Sequence, residues 1–389
     1  MGEVANIPQL RFPEFSNEWE ESKVGKVFKV SAGGDIKTEN VSQIKTDGFP
    51  YPIYANAEKA KGLYGYSNLY KSEANVVTVA GRGVNIGIAH VRLEPFYPIV
   101  RLLVLNPIKD ADVKFWENQL NQLNLFVEST GVPQLTAPQI SSYKVKYPSK
   151  PEQQKIAAFL TAVDNKIEQL SKKQELLSEY KKGVMQQIFS QAIRFKADDG
   201  SDFPGWEEKS LGELFNYKNG GSFENEVVKD GLYNLITLNS ITIDGELKNE
   251  HKKINSFDNS LKINDLIMVL SDVAHGNFLG LTAIIPEDNS YVLNQRMGAL
   301  KSKGLNNVVF LRLLINYNQK YFKLHGQGSS QQNLSKGDIL KFELLLPNRN
   351  EQQKIANFLS SIDTKIEQVG KQLDESKQFK KALLQQMFV

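Results

Sequence analysis

Hydrophobic positions along the chain fall into two kinds of pattern. Over residues 152–189, Ile156, Leu160, Val163, Ile167, Leu170 and Leu177, then Val184 and Ile188, step by four and three, the seam of an amphipathic helix. Ile355, Leu359, Ile362, Ile366, Val369, Leu373, Leu383 and Met387 repeat that spacing towards the end of the chain. Each stretch predicts a helix of about 38 residues, on the order of 57 Å long, which outreaches a compact domain. Ser149 with Glu152, and Asn348 with Glu351, have capping-box spacing, so each helix is expected to start there with the carboxylate satisfying an orphan amide. Gln174, Lys181, Ser376 and Lys380 interrupt the seam, and polar residues in such a core fix register at a cost in stability. Phe159, Tyr180, Phe358 and Phe379 lie off it; they read either as packing against a neighbouring domain or as a second face for partner helices.

The rest of the chain is written in short β-type runs bounded by Gly, Asn, Asp and Pro: Asn75 to Ala80, Ile86 to Val91 and Ile99 to Leu105, then Leu235 to Leu238, Leu266 to Leu270 and Leu281 to Ile285. Asp244-Gly245 predicts a hairpin turn. One amphipathic helix follows each set, carrying Trp116, Leu120, Leu123 and Val127 in the first and Val308, Leu311, Leu314 and Ile315 in the second. The order of parts is the same twice, and the fold class is α+β.

That doubling is also literal. Residues 152–189 align without gaps with 351–388 at an offset of 199, with 19 identities in 38 positions. Upstream, Leu135 and Pro148 match Leu334 and Pro347 at the same offset. A shorter repeat opens each half: Trp19-Glu20-Glu21 with Val24-Gly25 recurs as Trp206-Glu207-Glu208 with Leu211-Gly212. Residues 29–130 and 216–325 share no register. A duplicated frame therefore carries two unlike inserts, and the chain divides into 1–150, a helix over 151–189, 190–350, and a second helix over 351–389.

Composition narrows the chemistry. With no cysteine, disulfides, thiolate metal sites and Cys nucleophiles are excluded, and His90, His251, His275 and His325 have no ligand spacing, so no metal site is expected. No apolar run approaches the ~20 residues of a membrane span and the N-terminus lacks a signal-peptide core, which points to the cytoplasm. The net charge of +3, from 47 Lys and Arg against 44 Asp and Glu, is too balanced for strong binding of nucleic acid by bulk electrostatics alone. Phosphate-loop, H-E-x-x-H and nucleophile-elbow motifs do not occur, so no catalytic residue is assigned.

Polar, Gly-rich loops beside the strands are what remains. Gly33 and Gly34 lie in one; Asn219, Gly221 and Ser222 in a second; Gln327, Ser329, Ser330, Gln331 and Gln332 in a third; and Thr130 to Gln134 form a weaker fourth. Amide and guanidinium groups offer the planar donor and acceptor patterns that read base edges, while Ser, Lys and glycine amides suit phosphate. Arg82, Asn85, His275, Asn277 and Arg296 stand near strand ends, and Lys37 and Lys61 add cations. The same residues also read as ordinary surface turns.

Taken together, the Trp-Glu-Glu-x-x-[Val/Leu]-Gly openings, unlike inserts and duplicated Glu-Gln-Gln-Lys-Ile-Ala helices resemble the specificity subunit of a type I restriction-modification enzyme over essentially the whole chain. The resemblance implies two target recognition domains joined by two long helices in an antiparallel coiled coil with pseudo-twofold symmetry. It implies an asymmetric two-part target on double-stranded DNA, and assembly with two methyltransferase and two motor-nuclease subunits. S-adenosylmethionine, ATP and Mg are then expected in those partners and no cofactor in this chain. Gly220-Gly221-Ser222 and Gly328 to Leu334 resemble the family's polar loops, whereas Gly131 to Thr136 lacks the Ser-Gln run. A coiled-coil adaptor carrying two protein- or glycan-binding β domains is the alternative.

Overall fold

The two repeated edges of each half meet in space. In a computed structural model describing residues 6–57, 59–108, 110–123, 125, 133–273 and 276–389 (backbone alone at 59 and 60), strand Glu20–Lys23 pairs antiparallel with Lys144–Tyr147. Strand Glu207–Ser210 pairs in the same way with Glu343–Leu346. Segments that flank an insert in sequence thus close it off at its base. The chain forms two compact units, residues 1–173 with 369–389 and residues 174–368, so each unit holds one insert and a part of both long helices.

In unit 1 a four-stranded antiparallel sheet runs in the order Phe28–Ala32, Leu103–Pro107, Val76–Val79, Ala89–Arg92. A second sheet runs Val41–Ser42, Leu63–Ser67, Tyr51–Tyr54, Tyr97–Pro98, its last pair parallel. Unit 2 repeats the plan. Its first sheet runs Phe215–Asn219, Met297–Ser302, Leu266–Val269, Thr282–Ile284, and its second runs Lys252–Ile254, Tyr233–Ile236, Tyr291–Leu293, again with a parallel final pair. Inserts without a shared sequence register therefore share a topology. The runs read as strands contain strands, with ends displaced by up to four residues: Val76–Val79, Leu266–Val269 and Thr282–Ile284 are shorter than expected, while Ala89–Arg92 and Leu103–Pro107 end later and Tyr233–Ile236 starts earlier. β-branched and aliphatic side chains are buried on both faces of Val76–Val79 and Leu266–Val269. The Asp-Gly turn closes with Thr242 N–H donating to the Glu246 carbonyl at 2.8 Å, Gly245 taking φ 76°.

Helices Val113–Asn121 and Val308–Tyr317 cover the sheets, capped by Asp112 and Asn307, whose side chains accept the N–H groups of Phe115 and Phe310. Trp116, Leu120, Leu311 and Leu314 are buried, while Val127 lies outside the described residues. The long helices span Lys150–Phe189 and Arg349–Met387. In unit 1 the start of the central helix (Ile156, Leu160) shares a core with the end of the terminal helix (Leu383, Met387); in unit 2 Val184 and Ile188 share one with Ile355 and Leu359. Start meets end in both, so the pairing is antiparallel.

The polar interruptions of the seam have partners across this pairing. Lys181 Nζ reaches Asp363 Oδ1 at 2.5 Å in unit 2, and Lys380 Nζ reaches Asp164 Oδ1 at 2.6 Å in unit 1. The two bridges are counterparts under the 199-residue offset, a direct expression of the internal repeat. A slip of one heptad would set Lys181 against Ala356 or Gly370 and leave it unpaired, so the bridges disfavour other registers.

The Glu-Gln-Gln motif joins frame, helix and insert. Asn348 Oδ1 accepts the Glu351 N–H at 3.0 Å, half of the expected capping box. The glutamate carboxylates, however, turn to other donors. Glu152 takes both Arg11 Nε–H (2.7 Å) and Nη2–H (2.8 Å) and Trp19 Nε1–H (3.3 Å); Glu351 takes the same set from Arg194 (3.1 and 2.6 Å) and Trp206 (3.1 Å). Both glutamates are buried, and a buried carboxylate is tolerated when a bidentate arginine and a further donor satisfy it. Next along, Gln153 accepts the Asp112 N–H (3.0 Å) and donates to the Pro148 carbonyl (2.9 Å), while Gln352 accepts that of Asn307 (2.9 Å) and donates to the Pro347 carbonyl (2.8 Å). Each long helix is thereby pinned to the cap of the insert's own helix.

Candidate nucleic-acid interface

One edge of each insert gathers most of the polar loops. In unit 2, Gly220 N–H donates to the Met297 carbonyl (3.0 Å) and Gly221 N–H to that of Leu293 (2.9 Å). A Cβ on Gly220 would stand 2.0 Å from the Asn294 oxygen, so this close approach demands glycine. Leu270 N–H donates to the Arg296 carbonyl (3.0 Å), and strand Ser271–Val273 pairs with Gln331–Asn333, Gln331 Nε2 donating to Ser271 Oγ. Paired backbone bonds between Gln327 and Asn333 (3.0 and 2.9 Å) close the tip that carries Ser329 and Ser330. Asn219, Gly221, Ser222, Arg296, Gln327, Ser329, Ser330, Gln331 and Gln332, far apart in sequence, are thus brought to linked segments, with Arg296, Gln327, Ser329 and Ser330 exposed.

Two buried groups shape this edge. Asp272 accepts the N–H groups of Val273 and Phe278, both at 2.8 Å, and folds the chain that follows its strand. Asn294 donates to Glu224 Oε1 at 3.1 Å. Burial pushes the Tyr217 phenol up to about 12, so it stays a donor, to Asn219 Oδ1. Asn277 is engaged with the helix Gln319–His325: its carbonyl accepts from Gln319 (2.7 Å) and its Oδ1 from Lys323 (3.3 Å). His275 lies outside the described residues.

Unit 1 builds the corresponding edge differently. Gly33 N–H donates to the Leu102 carbonyl (2.8 Å), and Gly34 bridges Ile99 as Gly221 bridges Asn294. Arg82 bridges Gln134, the counterpart of the Ser271–Val273 pairing, and its Nε–H and Nη2–H both donate to Gln134 Oε1 (3.2 and 2.9 Å). Asn85 sits in the turn that follows, its carbonyl accepting the Ile88 N–H. Thr130, Gly131 and Val132 of the weaker loop lie outside the described residues. Lys37 and Lys61 have other partners: exposed Lys37 stands 3.7 Å from Glu39, and Lys61, left-handed at φ 53°, gives its carbonyl to Arg92.

Arg101 is a residue that the sequence patterns do not single out. It is exposed and occupies the place in unit 1 that Arg296 holds in unit 2, just before the strand that pairs with the Gly-rich loop. Without a register between the inserts, no sequence signal marks it.

Of the four off-seam rings, Phe159 is half-buried edge-on to Phe12 (5.9 Å) and Phe358 edge-on to Phe195 (5.6 Å), so both are used in packing. Tyr180 and Phe379 are about half exposed. Among the described residues no group of three or more His, Cys, Asp or Glu is placed to hold a metal ion, and no helix is long and apolar enough to cross a membrane.

Comparison with known proteins gives this arrangement a family. The profile of the type I restriction modification DNA specificity domain matches twice, at residues 16–178 and 204–375, one match for each half of the repeat. The MjaVIII specificity subunit of Methanocaldococcus jannaschii is 25% identical over 307 residues, 74% of this chain and 71% of that one. A putative MjaX specificity subunit of the same organism is 26% identical over 97% of this chain and 95% of its own. The crystal structure of a type I restriction-modification S subunit from M. genitalium superposes with a TM-score of 0.65 at 18% identity, covering 98% of this chain and 99% of that one, a likeness of fold. With both halves matched, the chain belongs to the type I restriction-modification DNA specificity family.

Proposed function

We propose that this chain reads an asymmetric, two-part site on double-stranded DNA for a type I restriction-modification complex and contributes no catalytic residue of its own. The observation that carries this reading is that two units of one topology present unlike polar edges, Arg82 with Gln134 in one and a Gln- and Ser-rich hairpin in the other. Unlike edges recognise unlike half-sites, and the bases between them go unread. The paired long helices act as spacer, their register held by Lys181–Asp363 and Asp164–Lys380. Two methyltransferase subunits, bringing S-adenosylmethionine, and two motor-nuclease subunits, bringing ATP and Mg, assemble on this scaffold in the cytoplasm. Tyr180 and Phe379 are the off-seam rings most open to them.

Near-neutral net charge makes DNA affinity depend on those partners. The test is co-expression with the neighbouring methyltransferase followed by single-molecule sequencing of modified bases. Sequence-specific adenine methylation at a two-part motif, which neither protein produces alone, is the expected result. Methylation of the same motif without this chain would refute the proposal.

A further inference from the structure

In unit 1 three backbone segments converge where strand Val76–Val79 ends. A Cβ on Gly81 would stand 2.9 Å from the Arg101 carbonyl oxygen and 3.0 Å from that of Leu135. Gly81 N–H donates to Asn56 Oδ1 (2.8 Å), and Asn56 Nδ2 donates to the Val100 carbonyl (2.5 Å), tying the first segment to the second. Ile99 to Leu102 form a tight turn closed by Leu102 N–H on the Ile99 carbonyl (3.0 Å), with Val100 at φ 51° and Arg101 at φ 59°. Left-handed backbone crowds Cβ against the following carbonyl and is worst for β-branched residues. The turn persists because the carbonyls of Gly34 and Gly33 accept the Val100 and Arg101 N–H groups, each at 3.1 Å. The outer residues of the turn, Ile99 and Leu102, are buried, whereas its central residues are not: Val100 is 48% exposed and Arg101 is exposed as well. The chain reversal between two core residues thus turns the Arg101 side chain to solvent, where a contact made outside the unit can reach it.

Arg82 leaves the same convergence with its guanidinium already oriented. A guanidinium has five N–H donors in one plane, and Gln134 Oε1 occupies the Nε–H and one Nη2–H. The far end of the fork keeps two parallel donors, the pattern that matches O6 and N7 of guanine in the major groove. A neutral amide as buttress preserves the positive charge while restricting the side chain's rotamers before binding. Arg101 has no such planar partner among the described residues, and an exposed, unoriented guanidinium suits a phosphate.

We propose that Arg82, buttressed by Gln134, reads a guanine in the half-site of unit 1, and that the left-handed turn presents Arg101 to the flanking phosphate. This rests on the DNA-reading function proposed above and adds the base, the positioning residue and the phosphate anchor.

The experiment uses the full chain in its complex with methyltransferase and duplexes carrying the methylated motif, with binding followed by fluorescence anisotropy. Replacing the read guanine by 7-deazaguanine, which removes N7, should weaken wild-type binding about ten-fold. For Arg82→Ala, which has no donor to offer, the same replacement should change binding less than two-fold. Gln134→Ala should shrink the discrimination without changing the salt dependence, because no charge is lost. Arg101→Ala should weaken all sequences alike and lower the slope of log affinity against log salt by about one.

Failure of the wild-type complex to prefer its own motif would overturn the DNA-reading function and this inference together. Specific binding with no 7-deazaguanine effect at any guanine overturns the inference alone, and that arm needs no variant to fold. So does a motif without guanine in the half that changes when residues 29–130 are exchanged.

Discussion

The two inserts reach one topology from sequences without a common register, and they differ most where the strands of the first sheet end. In unit 1 that edge is stiff in its backbone: Arg82 is bound by Gln134, Asn56 ties Gly81 to Val100, and Val100 and Arg101 are both left-handed. In unit 2 the same edge is a hairpin of side-chain amides and hydroxyls, and Gln295 and Arg296 turn without positive φ. A sheet interior asks only for side chains that fill a pleated, buried surface, so many sequences meet it. Base reading asks for particular donors and acceptors at exposed positions. Selection on the target can therefore rewrite the edge while the frame of Trp, Glu and Gln contacts stays the same in both units.

Exchanging a whole insert tests that separation with the largest effect. Replacing residues 29–130 by the equivalent insert of a related subunit should change one half of the methylated motif completely and leave the other half and the gap intact, as read by modified-base sequencing. A change in both halves would show that the units do not read independently.

Removing the frame's latch comes next. Glu351→Ala leaves Arg194 and Trp206 Nε1 without their acceptor in unit 2, and Glu152→Ala does the same to Arg11 and Trp19 in unit 1. Breaking a buried pair by removing one member costs about 3 kcal/mol, visible as a lower midpoint in thermal or urea unfolding. Similar losses from the two variants are expected; a loss at one site alone would mean that the frame is not equivalent in the two units.

Acid should separate the units more gently. In unit 2, burial beside Tyr291 (ring centroids 5.7 Å apart), with Lys253 nearby, holds the His251 imidazole below its ordinary value. A histidine with a depressed folded pKa binds fewer protons folded than unfolded, so its contribution is complete above ~6.5 and falls as pH drops below that, by at most about 1.4 kcal/mol per pH unit. In unit 1, burial alone would raise Glu117, but the His90 ring, whose Nδ1 stands 3.6 Å away, and the hydrogen bond from the Val91 N–H outweigh it and leave its pKa lowered. That carboxylate contributes above ~4.3, its unfolded value, and its contribution is lost as pH falls further. Hydrogen exchange from pH 7 to 4 should show unit 2 weakening first, and His251→Phe should delay it. Equal weakening of both units would remove His251 as the cause.

The smallest effect concerns the strained turn. Val100→Gly relieves a β-branched residue of left-handed backbone and should stabilise unit 1 by about 1 kcal/mol, measured by urea unfolding. Gln295→Gly, at the counterpart turn without positive φ, should bring no gain. A destabilised Val100→Gly variant would show that the valine is held by packing and carries no strain.

Much of this molecule is legible in a single sequence. The long helices, their seam and the duplicated frame follow from local periodicity and from identity at one offset, and the strands follow from short apolar runs between turn residues; a 3.6-residue or two-residue period needs no distant partner to be seen. What the tertiary structure decided are the contacts between segments far apart in the chain. Lys181 and Asp363 are separated by 182 positions, so the sequence shows a polar break in a seam and the fold shows a register lock. Glu152 and Glu351 have capping-box spacing, yet their carboxylates go to Arg11 and Arg194, because a bidentate cation at a buried site outcompetes a backbone amide for the same oxygens. Arg101 illustrates the limit most clearly. An exposed base- or phosphate-facing residue leaves no hydrophobic pattern, and its equivalence to Arg296 exists only once backbone hydrogen bonding has aligned two inserts that their side chains do not.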